Sequence, residues 1–108
     1  MILRQWEIWK CKPVGFEKHH WFVIISPQER LTSAKHGQVN GLVCFTLRGD
    51  PLPTDVRLNH SDGFERPTVC QCDLIYFLDK GSLHSRLGIV TWEGQQQIKG
   101  RFKEVFRF

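Results

Sequence analysis

The run Thr68-Val69-Cys70-Gln71-Cys72-Asp73-Leu74-Ile75-Tyr76-Phe77-Leu78-Asp79-Lys80 contains no glycine or proline and carries a carboxylate at its centre. Strict alternation puts Cys70, Cys72 and Leu74 on one face and Val69, Gln71 and Asp73 on the other. Aspartate is depleted in strands, and a buried carboxylate is costly unless it is paired. Asp73 is therefore either a solvent-facing edge position or an active-site carboxylate held on a rigid strand. Both readings stay open at this level.

The cysteines offer no comparable site. Of Cys11, Cys44, Cys70 and Cys72, only Cys70 and Cys72 are close in sequence, and no second pair completes a tetrahedral metal set. Buried free thiols and no metal or other cofactor are expected. The formal charge of +4, with a pI near 9.1 and five histidines outside that count, is compatible with a polyanionic partner but does not require one.

The elements that must position these residues fit one domain spanning 1–108, since the length supports a single core. Gln5–Lys12 alternates bulky and polar residues and reads as a first strand, with Trp6 and Ile8 on one side and Glu7, Trp9 and Cys11 on the other. Pro13 and Gly15 open a loop through His20. Trp21–Ser26 is apolar and β-branched, a central strand buried on both faces and ended by Pro27. Gln28–Gln38 fits a short helical turn or a loop. Leu42–Leu47, Asp55–Leu58, Thr68–Lys80 and Leu87–Val90 read as further strands, with turn residues at Asn59–Gly63. Thr91 can cap a C-terminal helix over Glu93–Phe106, where Ile98, Phe102, Val105 and Phe106 recur at helical spacing. A compact antiparallel barrel with helical additions is expected. No apolar run approaches the roughly 20 residues of a membrane span. The start lacks the features of a secretory signal, so a cytoplasmic protein is expected.

In order along the chain, these landmarks resemble the MazF/PemK (Kid) family of type II toxin–antitoxin ribonucleases. The family's G-[ED]-I-[WY] strand is similar to Trp6-Glu7-Ile8-Trp9, and its R-P-x-[VL]-[VI]-[IV]-[ST] strand to His20-Trp21-Phe22-Val23-Ile24-Ile25-Ser26. Its strand ending in [PA]-[VIL]-[TS] is similar to Cys44-Phe45-Thr46. Val69–Lys80 and Leu83–Thr91 resemble the later strands, and the residues from Glu93 the terminal helix. The resemblance implies a mainly β, SH3-like barrel of the CcdB/MazF/PemK type with a C-terminal α-helix. It further implies a homodimer, a cognate antitoxin, and metal-independent endoribonuclease (mRNA interferase) activity on single-stranded RNA. In such chemistry one group takes the proton of the ribose 2′-hydroxyl, another protonates the leaving 5′-oxygen, and a cation steadies the phosphate.

Carried over residue by residue, the resemblance is incomplete. Phe16 stands where many members have a loop histidine, and Glu17 matches a family glutamate. The arginine and proline of the second strand are His20 and Trp21, and Gln71 replaces the arginine of the later strand. Thr46 and Asp73 match. One reading is a rebuilt site in which His20, Thr46 and Asp73 are catalytic: His20 supplies acid/base chemistry near neutral pH, Asp73 orients it and Thr46 meets the phosphate. His19, Glu17, Arg48 and Gln71 then contact RNA. The alternative is a degenerate member acting by binding antitoxin, RNA or a protein target such as gyrase. A third class, an SH3-type adaptor, would carry a recessed peptide groove. Trp6, Trp9 and Trp21 are expected to serve as core or interface packing rather than as base-stacking platforms.

Overall fold

The computed structural model describes residues 2–107. Seven strands form one antiparallel sheet: β1 (Glu7–Cys11), β2 (His20–Ile24), β3 (Gln38–Thr46), β4 (Asp55–Leu58), β5 (Thr68–Gln71), β6 (Tyr76–Asp79) and β7 (Arg86–Ile89). A five-residue helix α1 (Gln28–Thr32) follows β2, and α2 (Trp92–Phe106) closes the chain. The strand order is β4-β5-β3-β2-β1-β7, with β6 also paired to β3. The strongly curled sheet makes a half-barrel, and α2 lies against it. The mainly β barrel with a C-terminal helix matches the sequence expectation.

Both faces of the central strands are buried, as the continuous apolar run at Phe22–Ile24 requires. Opposed residues in an antiparallel ladder project from the same face. Ile8, Val23, Leu42, Cys44, Cys70 and Val56 therefore share one face, which packs with Val90 and with Ile98 of α2. Trp9, Phe22 and Val43 share the other, covered by Leu31 of α1, Leu78 of β6 and Phe16 of the β1–β2 loop. These are called the helix face and the loop face below. All four cysteines are buried free thiols. Thr91 caps α2 as its position suggested, its Oγ1 accepting from the Gly94 N–H at 3.2 Å.

Two strand expectations are corrected. β3 begins at Gln38 rather than Leu42, because its polar first half finds partners in β6, from Gln38↔Asp79 to Gly41↔Tyr76. Thr68–Lys80 is not one unbroken strand. From Cys44 to Gly41 β3 advances three residues while its partner advances six, from Cys70 to Tyr76. The three extra residues leave the ladder around Cys72–Ile75, and Asp73 stands on this bulge, exposed, outside any strand. Bulging relieves the carboxylate of burial, which alternation alone did not foresee.

Asp62 ties the turn after β4 to α2. In the 3-10 turn His60–Asp62 its Oδ2 accepts from the Asn59 N–H at 3.0 Å, and its Oδ1 accepts from the Thr91 N–H at 2.8 Å. The carboxylate is 4% exposed, so removing it strands two backbone donors. Asp62→Ala is expected to cost about 3 kcal/mol, measured as a shift of the urea midpoint at unchanged slope. A loss under about 0.5 kcal/mol would show that solvent replaces both bonds.

Candidate nucleic-acid interface

Thr46, the last residue of β3, lies opposite Thr68 of β5, and both line a cavity of about 390 Å3 on the helix face. Trp21 of β2 and Leu87 of β7 form its other walls. The rim is Gly63-Phe64-Glu65-Arg66, the segment between the 3-10 turn and β5. Gly63 ends that turn in the left-handed region at φ 107°, where a side chain would be strained. Phe64 then plunges into the core at 7% exposure, which leaves Glu65 and Arg66 at the surface. The rim is fixed by its backbone: Thr68 Oγ1 donates to the Arg66 carbonyl at 2.9 Å, the Leu47 N–H donates to the Pro67 carbonyl at 2.9 Å, and a ring nitrogen of His60 meets the Glu65 carbonyl at 2.9 Å. Among the described residues, the side chains of Thr46, Glu65 and Arg66 have no hydrogen-bond or ion-pair partner. A free hydroxyl, carboxylate and guanidinium around an aromatic wall can receive a phosphate ester together with its base.

The site residues named from the sequence divide between the two faces. Trp21 opposes Cys44, so Trp21, Cys44 and Thr46 project to the helix face and His20 and Phe45 to the loop face. His20 is packed edge-on to Phe16 and Phe45, with ring centroids 5.2 and 5.3 Å away. Gln71, one residue past Cys70, also takes the loop face. His20 and Thr46 are thus not brought together. Asp73 forms no hydrogen bond or ion pair with another described residue. Glu17 is exposed on the β1–β2 loop and Arg48 just beyond β3. Extending the β2–β3 register beyond Trp21 puts His19, not His20, on the Thr46 side.

His19 belongs to a cationic cluster beside the cavity. Its ring centroid is 5.7 Å from that of His84, which is held by its N–H donating to the Lys10 carbonyl at 2.8 Å. The Lys10 ammonium lies 5.8 Å from the centroid of Trp21, the cavity wall. Partial desolvation, followed by His84, Lys10 and Lys12, holds the His19 imidazole below its usual range. The thiols of Cys70 and Cys72 are pushed up, chiefly by hydrogen bonding within the Cys44–Cys70–Cys72 group and then by burial, so they stay protonated and unreactive. Among the described residues no group of three or more His, Cys, Asp or Glu is placed to hold a metal ion.

No protein-family model matches the sequence, and no curated protein does. Solved structures do. The chain superposes on an endoribonuclease from a mycobacterial species, solved with its cognate antitoxin, at TM-score 0.81 and 20% identity over 99% of this chain and 95% of that one. It superposes on the Mycobacterium tuberculosis toxin MazF-mt6 at TM-score 0.72 and 19% identity over 94% and 97%. A MazE–MazF structure from Deinococcus radiodurans gives TM-score 0.76 and 15% identity over 98% and 96%. The fold is that of the MazF toxins. Among the described residues of this MazF-type barrel, no helix is long and apolar enough to cross a membrane.

The Gly63–Arg66 rim and His84 were not singled out from the sequence. The available signal was a glycine–aromatic pair followed by two opposite charges immediately before a strand, which is weak without the fold.

The electrostatics of the cluster are measurable. His19 is expected to titrate below 6.5 by NMR, and His84→Ala to raise its midpoint by removing a cationic neighbour. Because the folded value is depressed, the unfolded chain binds more protons at this site. The group's effect on stability is nil above the unfolded value and turns destabilising as pH falls from about 6.5 through the folded value. A midpoint unmoved by His84→Ala would remove the coupling.

Proposed function

We propose that this protein is a MazF-type toxin, a metal-independent endoribonuclease that cuts single-stranded RNA and is restrained by a small antitoxin. The observation that carries this reading is the Thr46 cavity, with its free hydroxyl, carboxylate, guanidinium and indole, on a barrel that follows an endoribonuclease over almost its full length. Arg66 and Thr46 hold the phosphate oxygens, and Glu65 takes the proton of the 2′-hydroxyl as that oxygen attacks phosphorus. The 5′-oxygen leaves and takes a proton from water in the open cleft, giving a cyclic phosphate. Trp21 forms the wall on which a base can stack. Single strands fit because unstacked bases can be splayed into a cleft, whereas an A-form duplex hides its base edges.

Exposed apolar side chains supply the surface that partners need. Phe77 is 73% exposed and Trp92 71%, accompanied by Ile75, Leu74 and Ile89. A homodimer, and an antitoxin whose disordered tail folds across the cleft, would cover such positions. The protein would act on messenger RNA in the cytoplasm. A second reading, binding without cleavage, is favoured by Gln71 and His20 standing at basic positions of the family pattern, and by Asp73 lying unpaired on its bulge.

Incubation with mixed-sequence RNA in EDTA separates the two: cleavage supports the nuclease, and none at high protein concentration sinks it. Thr46→Ala and Arg66→Ala are each expected to lower the cleavage rate about a hundredfold while leaving the protein folded. His20→Ala reports on the opposite face. Strong loss there, with Thr46→Ala silent, would move the site to the neighbourhood of Phe45. Light scattering should give twice the 12.7 kDa chain mass, and a monomer at micromolar concentration would exclude the dimer.

A further inference from the structure

His19, His84, Lys10 and Lys12 gather four potential cations at one edge of the helix face. Lys10 comes from β1, Lys12 from the residue just beyond its end, His84 from the β6–β7 connection and His19 from the end of the β1–β2 loop. Each of the two lysines and His84 disfavours the charged form of His19, and no carboxylate is among the groups acting on it. Glu17 and Lys18 precede it in sequence, with opposite charges. The nearby Arg86 is occupied, its Nε donating to the buried Glu7 carboxylate. The cluster therefore has more positive charge than the fold compensates. It adjoins the cavity through Trp21, which lines the cavity on one side and lies beneath the Lys10 ammonium.

We infer that His19, His84, Lys10 and Lys12 form a phosphate clamp for the RNA strand as it leaves the Thr46 cavity past Trp21, and that the clamp takes up protons as it closes. The inference rests on the RNA reading above. In the free protein the His19 imidazole, its centroid 5.7 Å from that of His84 and two ammonium groups acting on it, resists protonation. A phosphodiester between the two rings supplies the missing negative charge, so bound RNA raises the proton affinity of His19 and, by linkage, mild acid tightens RNA. The lysines set the affinity that remains when the rings are neutral, and that part depends on salt.

The probe is a short mixed-sequence single strand of 2′-fluoro RNA, which lacks the attacking hydroxyl, followed by fluorescence anisotropy at constant ionic strength. Binding is expected to be about tenfold tighter at pH 6 than at pH 8, the factor that corresponds to one unit of pKa. The double variant His19→Gln, His84→Gln, at exposed positions, should lose the dependence of affinity on pH. Lys12→Gln should lower the salt slope by about 0.7 at both pH values. A flat pH response in the unmodified protein, a retained response in the double variant, or an unchanged salt slope overturns the clamp and leaves the RNA reading standing. No binding at either pH in low salt overturns both.

Discussion

The nine-residue strand β3 pairs with other strands along both of its edges. β2 occupies one edge from Gly41 to Cys44, and β5 and β6 share the other, so that three strands take their register from a single backbone. A ladder satisfied on both sides leaves no freedom to slip, because a one-residue shift would turn every buried side chain of the sheet to the wrong face. Gly41 shows how tightly the crossing is drawn: a Cβ there would come within 2.5 Å of Leu78 Cδ1 and 3.3 Å of Phe22 Cβ. The packing of β6 onto β3 needs that missing side chain. Thr46 reaches the cavity because it is the end of this strand.

Parity along the strands, rather than proximity in sequence, decides which chemistry meets. His19 and His20 are neighbours in the chain, yet one belongs to the cationic edge of the helix face and the other to an aromatic cluster on the loop face. Buried polar groups follow the same economy. Glu7, 4% exposed, is kept inside by the Arg4 N–H at 2.7 Å, the Trp9 indole N–H at 3.3 Å and the Arg86 guanidinium. Those bonds join the chain start, β1 and β7 at one carboxylate, where an unpaired charge would be strongly destabilising.

Much of the architecture was legible in the residues. The apolar run at Phe22–Ile24 announced a strand buried on both sides, Asp55–Leu58 alternated as a strand should, and Thr91 marked the start of α2. Less of the candidate site was. Thr46 was singled out and lines the cavity, but Glu65, Arg66 and His84 were not, since each owes its place to a turn geometry or a ladder pairing with a distant segment. Asp73 was read into a strand because alternation counts side chains without knowing the partner. Three residues of mismatch against β3 are visible only once the partner strand is present.

The amino-acid sequence by itself determined the class of fold, the four reduced thiols and the cap of α2. These follow from hydrophobic period, composition and local hydrogen bonding, which act within a few residues. The tertiary structure alone decided that Thr68–Lys80 breaks into two strands on a common edge, that His19 rather than His20 faces the side of Thr46, and that a cavity forms where Trp21, Thr46 and the Gly63–Arg66 rim converge. Such outcomes depend on register between strands far apart in the chain. Register is a property of the assembled ladder, not of any one strand.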